Sequence, residues 1–277
     1  MNTPLISIIT PCYQAGDKLA ATLDSILTQT FEDYEVIVKD AGSSDGSIEK
    51  LPNNRHVRLI RRRDNGIYDG MNQAILTAKG EYLYFLNCGD KLHDQEVLQQ
   101  IAGIIVKERT AAGGESRAEG SRSYIFYGDV LEEKTGQRVN AKPVMTKFAM
   151  YRNLPCHQAC IYSRELFEDR QFDMRYRVRA DYEHFLWSVI CAGARAVAMD
   201  LVVADYEGGG FSETKENRKC SAKEHKEIAE RYFTARERFC YRSAMVMSLQ
   251  PLREKLASSQ MTAGIYDRIK NTVYRKR

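Results

Sequence analysis

Short apolar runs alternate with amphipathic stretches through the first hundred residues. Leu5 to Thr10 is a mostly apolar run bounded by Pro4 and Pro11, the pattern of a strand buried on both faces. Asp17 then caps a stretch with Leu19, Leu23, Ile26 and Leu27 at helical spacing. Tyr34 to Val38 predicts a second strand, followed by the polar loop Lys39 to Gly46 and a helix near Ser47. Val57 to Ile60 predicts a third strand. The turn Asp64-Asn65-Gly66 opens a helix carrying Ile67, Met71, Ile75 and Ala78; Gly80 ends it. A fourth strand, Tyr82 to Leu86, runs into Asn87-Cys88-Gly89-Asp90. Strands and helices alternating at such short intervals predict an α/β fold with a parallel sheet and right-handed crossovers.

The rhythm changes further on. A helix from Asp94 to Arg109 leads into a small, polar, Gly-rich surface loop between Thr110 and Ser123. Strands follow at Tyr124 to Leu131, Ala159 to Tyr162 and Ala196 to Tyr206, with a helix at Asp181 to Ala192. Glu207 to Phe211 is a glycine-rich loop able to close over a ligand, and from about Ser221 the pattern is helical with basic faces. No internal repeat interrupts this order.

Composition narrows the classes. With 43% apolar and 28% charged residues among 277, the chain is of globular type. No apolar run reaches the roughly 18 residues of a membrane span, and MNTPLISIITP lacks the basic start and cleavage site of a signal peptide, so a cytoplasmic protein is expected. The seven cysteines, odd in number and set among apolar neighbours, read as reduced thiols. Cys156, His157 and Cys160 lack a second pair at zinc-ligand spacing, and Cys88 reads as a packing residue. The net charge of +4 is uneven: from Lys215 onward sixteen Lys and Arg face seven Asp and Glu. That basic stretch, with Phe233, Phe239, Tyr241, Met245, Val246, Met247 and Leu249, suits either a solvated helical face or an anionic membrane surface. Nothing resembles a nucleic-acid-binding module.

The candidate chemistry sits at strand ends. There is no GxGxxG after the first strand and no GxxxxGK[ST], which removes the main support for dinucleotide oxidoreduction and P-loop phosphoryl transfer. The strands end instead in Tyr13, in Asp40 with Asp45, and in Asp90, where open α/β sheets hold their ligands. Carboxylates there suit hydrogen-bond donors such as ribose hydroxyls and base imides. Asp69 and Asn72, three apart on a helix, can point together at one ligand. Each has a plainer reading as well: Asp40, Asp45 and Asp181 as caps or turn residues, Asp69 as a first-turn helix charge, His157 as a core histidine.

Taken in order, SIITPCYQAGDKL, VIVKDAGSSDGS, DNGIYDGMN, the strand ending in NCGD, CHQ (Cys156 to Gln158) and RADYEHF (Arg179 to Phe185) resemble the family 2 glycosyltransferases. The likeness is to bacterial colanic-acid, exopolysaccharide and O-antigen types. It implies the GT-A fold, a Rossmann-like, mostly parallel sheet flanked by helices, over residues 1–214. A nucleotide-sugar half would occupy 1–109, an acceptor half 124–214, and a basic helical extension 215–277. It further implies Pro11 and Tyr13 at the base, Asp40 at base or ribose, and Asn65, Asp69 and Asn72, with Asp64, along the ribose and donor-sugar wall. Asp90, flanked by Asn87 and Gly89, would meet a Mg²⁺ or Mn²⁺ bridging the phosphates of a UDP-sugar. His157 and Gln158 would lie near the acceptor or diphosphate, and Asp181 would be the general base of an inverting transfer. The acceptor implied is a carbohydrate of the polyprenyl-diphosphate-linked kind, at the inner face of the cell membrane. One departure is visible: where relatives show Asp-x-Asp, this chain has Asn87 and Gly89 and keeps only Asp90. A non-catalytic sugar-nucleotide-binding module and a sugar nucleotidyltransferase therefore stay open at this point.

Overall fold

The computed structural model describes residues 3–111, 123–208 and 214–247. Most of the Thr110 to Ser123 loop, the 209–211 part of the glycine-rich loop and everything beyond 247 lie outside the described residues. The first half of the sheet is parallel: β1 (Ile6–Cys12) lies between β2 (Tyr34–Asp40) and β4 (Tyr82–Phe85), and β3 (Val57–Arg61) pairs with β2. Ile6, Ile8 and Ile9 are wholly buried, each such side chain contributing about 1.5–3 kcal/mol. Helices α1 (Lys18–Leu27) and α2 (Ile67–Ile75) make the crossovers. No helix forms near Ser47. There Asp45 Oδ1 accepts from Ser47 N and Oγ while Oδ2 accepts from Gly16 N at 2.7 Å, which ties two loops together as a turn.

The second half is mixed. After β5 (Lys91–Leu92) and α3 (Val97–Ala111) come β6 (Tyr124–Glu132), β7 (Gln137–Val139), α4 (Lys147–Arg152), a single 3₁₀ turn at His157–Ala159, β8 (Cys160–Ser163), α5 (Glu165–Asp169), α6 (Ala180–Ile190) and β9 (Arg195–Tyr206). The strand order is β3-β2-β1-β4-β8-β6-β9-β5, with β7 paired to β6. β8 runs antiparallel to both β4 and β6, so the sheet is parallel where the sequence rhythm was regular and mixed where it broke. β6 and β9 approach so closely at Gly128 that an added Cβ would lie 2.6 Å from Leu201 O, and their register shifts there.

The chain divides into two units, Met1–Ile228 and Ala229–Arg277. The first takes in most of α7 (Lys215–Tyr232), whose Glu224 and Ile228 are buried. In the second unit, Thr234 and Glu237 form a reciprocal capping box at the start of α8 (Ala235–Met247), with Glu237 N donating to Thr234 Oγ1 at 3.2 Å and Thr234 N to Glu237 Oε2 at 2.8 Å.

Behind the cleft, His184 stacks on Phe167 with ring centroids 4.0 Å apart, and its Nε2 donates toward Arg170 O at 2.9 Å. Burial pushes this imidazole down to about 4. The unfolded chain takes up the proton below about pH 6.5, whereas the folded protein does not until about pH 4, so stability present above 6.5 is lost as pH falls through that window. Its full extent is about 3 kcal/mol. Urea midpoints between pH 7.5 and 5 should fall, and His184→Phe should flatten that slope; an unchanged slope would remove His184 as its source.

Candidate active site

Because β2 lies on one side of β1 and β4 on the other, the sheet opens a crevice at the carboxyl end of β1. A cleft of about 2030 Å³ occupies it. Pro11 and Tyr13 line the cleft, and Tyr13 is 65% exposed. Asn87 and Asp90 lie beyond β4, His157 and Gln158 come from the 3₁₀ turn, and Arg179 and Asp181 begin α6.

The stretch Asp64 to Asn72 has a different part from the one its polarity implied. Asp64 Oδ2 pairs at 2.7 Å with Lys39, a wholly buried lysine that also donates to Arg62 O at 2.6 Å. Gly70 leaves room for this carboxylate, since a Cβ there would lie 2.9 Å from Asp64 Oδ2. Gly66, at φ 124°, makes the turn into α2. Neither Asp69 nor Asn72 lines the cleft. Asp69 accepts from Asn65 N at 2.8 Å and from Asn65 Nδ2 at 3.1 Å, closing the first turn of the helix. Asn72 donates to Phe172 O and accepts from Phe172 N, both at 3.0 Å, as a strand neighbour would. Asn65 remains on the cleft wall.

Asp40 is likewise engaged internally. Its buried carboxylate accepts from Ser43 N at 3.0 and 3.1 Å and from Ser43 Oγ at 2.6 Å, and meets Arg61 at 3.2 Å. The turn it holds puts Ala41 and Gly42, rather than its own side chain, on the cleft wall.

Asp90 is 8% exposed at the cleft floor. Burial pushes its carboxyl up to about 6, against a hydrogen bond from the Gln158 side chain, and the charges of Glu207 and Glu133 add to the rise. Its loop is fixed through Thr22, whose hydroxyl donates to Asp90 O at 2.8 Å and accepts from Gly89 N at 2.9 Å. Gly89, at φ 101°, serves that turn and does not line the cleft. Asn87 Oδ1 and both ring nitrogens of His157 are buried without a hydrogen-bond partner among the described residues. Such atoms beside a cleft are groups a ligand or ordered water would satisfy. Burial also pushes the His157 imidazole down, so it stays neutral at pH 7. The Cys88 thiol is raised by its hydrogen bond with Cys12 and by burial, which leaves it a packing group.

Asp181 stands in the first turn of α6 and lines the cleft. Tyr68 of α2 donates to its Oδ1 at 2.8 Å, while Oδ2 has no partner among the described residues. The segment before it is held by Glu224 of α7, which accepts from the backbone N–H groups of Arg177, Val178 and Arg179 at 2.8, 3.0 and 2.9 Å. Arg179 in turn donates to Ser221 Oγ at 2.7 Å. Sequence reasoning did not single out Tyr68, Lys39 or Glu224. Tyr68 was within reach, because a phenol on the Met71–Ile75 face of a buried helix needs a partner for its hydroxyl. Glu224 left no local signal.

Residues 7–170 match the family described as Glycosyl transferase family 2. A PGL/p-HBAD biosynthesis glycosyltransferase of Mycobacterium bovis is 35% identical over 225 residues, covering 77% of this chain and 81% of the relative. The chain belongs to family 2 of the glycosyltransferases, and it is a glycosyltransferase enzyme. Among solved structures, the mannosyltransferase of Pyrobaculum calidifontis in complex with GDP-Man and Mn²⁺ aligns with TM-score 0.60 at 17% identity, over 96% of this chain and 84% of that one. S. aureus TarS 1–349 in complex with UDP-GlcNAc aligns with TM-score 0.58 at 19% identity, over 81% and 66%. The chain spans 36% of a longer S. aureus TarS chain. At these identities the likeness establishes the fold, which is GT-A.

Proposed function

We propose that this enzyme moves one sugar from a UDP-sugar to a hydroxyl of a lipid-linked carbohydrate acceptor, with inversion, in surface polysaccharide biosynthesis. The observation that carries the reading is that Asp90 and Asp181, on different elements, line one cleft together with Pro11 and Tyr13. In this reading Tyr13 stacks on the base, and Asp181 takes the acceptor proton on its unpartnered Oδ2. Attack from that side, opposite the departing diphosphate, inverts the anomeric centre. Arg63 and Arg179, also on the cleft, add positive charge toward a diphosphate, while Lys18 is paired with Glu207.

A divalent ion fits Asp90. The carboxylate is buried beside further negative charge, with Gln158 as its side-chain hydrogen-bond partner, an environment that a cation relieves. Among the described residues no group of three His, Cys, Asp or Glu is ready to hold a metal, so Asp90 would share the ion with phosphate oxygens and water. When bound, Mg²⁺ or Mn²⁺ supplies charge neutralisation for the leaving nucleoside diphosphate. The test is a panel of UDP- and GDP-sugars assayed for nucleotide release with Mn²⁺, with Mg²⁺ and with chelator. Metal-dependent release from a UDP-sugar is expected; release from GDP-sugars alone, or release indifferent to chelator, would overturn the donor or metal assignment.

The same reading brings the enzyme to an anionic membrane surface. No helix among the described residues is long and apolar enough to cross a membrane. On α8, Phe239, Val246 and Met247 are 72%, 64% and 82% exposed, with Arg236, Arg238 and Arg242 on the same helix. Phe239→Glu with Met247→Glu should abolish co-sedimentation with phosphatidylglycerol vesicles without lowering Tm; sedimentation equal to the unaltered protein would refute the lipid role.

A further inference from the structure

Tyr68 lies on the donor-side helix, yet its hydroxyl reaches the acceptor half. It stands 2.8 Å from Asp181 Oδ1 and 3.0 Å from Val178 O, with one proton to give between them. The side chain is buried, and burial with the Asp181 charge beside it pushes the phenol well up, so it remains a donor. Four residues on, one helical turn along the same face, Asn72 grips the Phe172 backbone. Helix α2 is thus tied to the segment Phe172 to Asp181 at two points, while the turn at its start, Asp64 to Gly66, lines the cleft.

We propose that Tyr68 is a positioning residue for the acceptor base: it pins Asp181 Oδ1, leaves Oδ2 directed to the incoming hydroxyl, and links the donor-side turn to the base through one short helix. The proposal rests on Asp181 being that base. When Oδ2 takes the acceptor proton, the Tyr68 hydrogen bond can shift to Val178 O, so the protonated base keeps a satisfied neighbour. A carboxylate free to rotate would spend much of its time away from the attacking hydroxyl.

The experiment uses the full chain and the panel nucleotide sugar that it turns over fastest. Tyr68→Phe keeps the ring against Phe172, whose centroid is 5.3 Å away, and removes only the hydroxyl. kcat should fall about 10–100-fold, the range for losing a group that orients a catalytic side chain, with KM for the nucleotide sugar unchanged. In the Asp181→Asn background the same substitution should cause no further loss, because Tyr68 acts only through Asp181. Additive losses, or a kcat unaffected by Tyr68→Phe, would overturn the proposal. If Asp181→Asn alone retains turnover, the base assignment fails instead, which is a distinguishable result. Should Tyr68→Phe not fold, 3,5-difluorotyrosine at position 68 makes the hydroxyl a stronger donor to Asp181 Oδ1, so the limb of the kcat–pH profile set by the Asp181 base should move to lower pH; a limb that does not move would then overturn it.

Discussion

Asp181→Asn is expected to slow sugar transfer by about 10²–10⁴-fold, the usual worth of a positioned general base, while leaving nucleotide affinity and Tm where they were. The amide has the shape of the carboxylate, and its oxygen can still accept from Tyr68, which sits 2.8 Å from Oδ1. Glu224 still holds the preceding backbone. What is lost is the capacity of the free oxygen to take a proton. The plainer role for this residue, a charge in the first turn of α6, predicts the opposite pattern of a lower Tm with transfer nearly intact. Transfer rate, Tm and UDP affinity measured on one preparation separate the two roles.

The parallel half of the fold was legible because its strands and helices carry unbroken periodicities: β1, β2, β3 and α1 fall within a few residues of the runs that predicted them. The mixed half was less so. β5 has two residues and β7 three, and α4 and α5 are too short for an apolar stripe to register. These elements exist because partners distant in sequence hold them, as β9 does β5. The site divides along the same line. Tyr13, Asp90 and Asp181 could be picked out as polar residues at element ends, and all three line the cleft. Asp40, Asp69 and Asn72 look equally ligand-like in a string of letters, yet Ser43, Asn65 and the Phe172 backbone take up their polar atoms. Whether a polar side chain faces a ligand or a buried peptide group depends on long-range neighbours, and Phe172 is a hundred residues from Asn72. Asn72 braces α2 against the Phe172 backbone.

The second large effect is expected at Asp90, and there activity and stability should move in opposite directions. Asp90→Asn retains shape and volume at a position 8% exposed, and removes a charge whose burial is costly where Glu207 and Glu133 add repulsion. Tm should therefore hold or rise. Transfer should fall by about 10²–10³-fold, because without the Asp90 carboxylate the cation that would neutralise the developing charge on the leaving diphosphate is held less well. UDP binding, measured by calorimetry with and without Mn²⁺, should lose its metal dependence in the variant. A lower Tm with undiminished metal-dependent binding would make Asp90 a structural carboxylate and return the metal to other ligands. A loss of transfer with metal-dependent binding retained would leave Asp90 in the reaction but outside the ion's coordination. Asn87, adjacent in the same loop with an unpartnered Oδ1, gives an internal comparison. Asn87→Asp places a second acidic group in this loop, and it should tighten Mn²⁺-dependent UDP binding only if Asp90 already holds the ion.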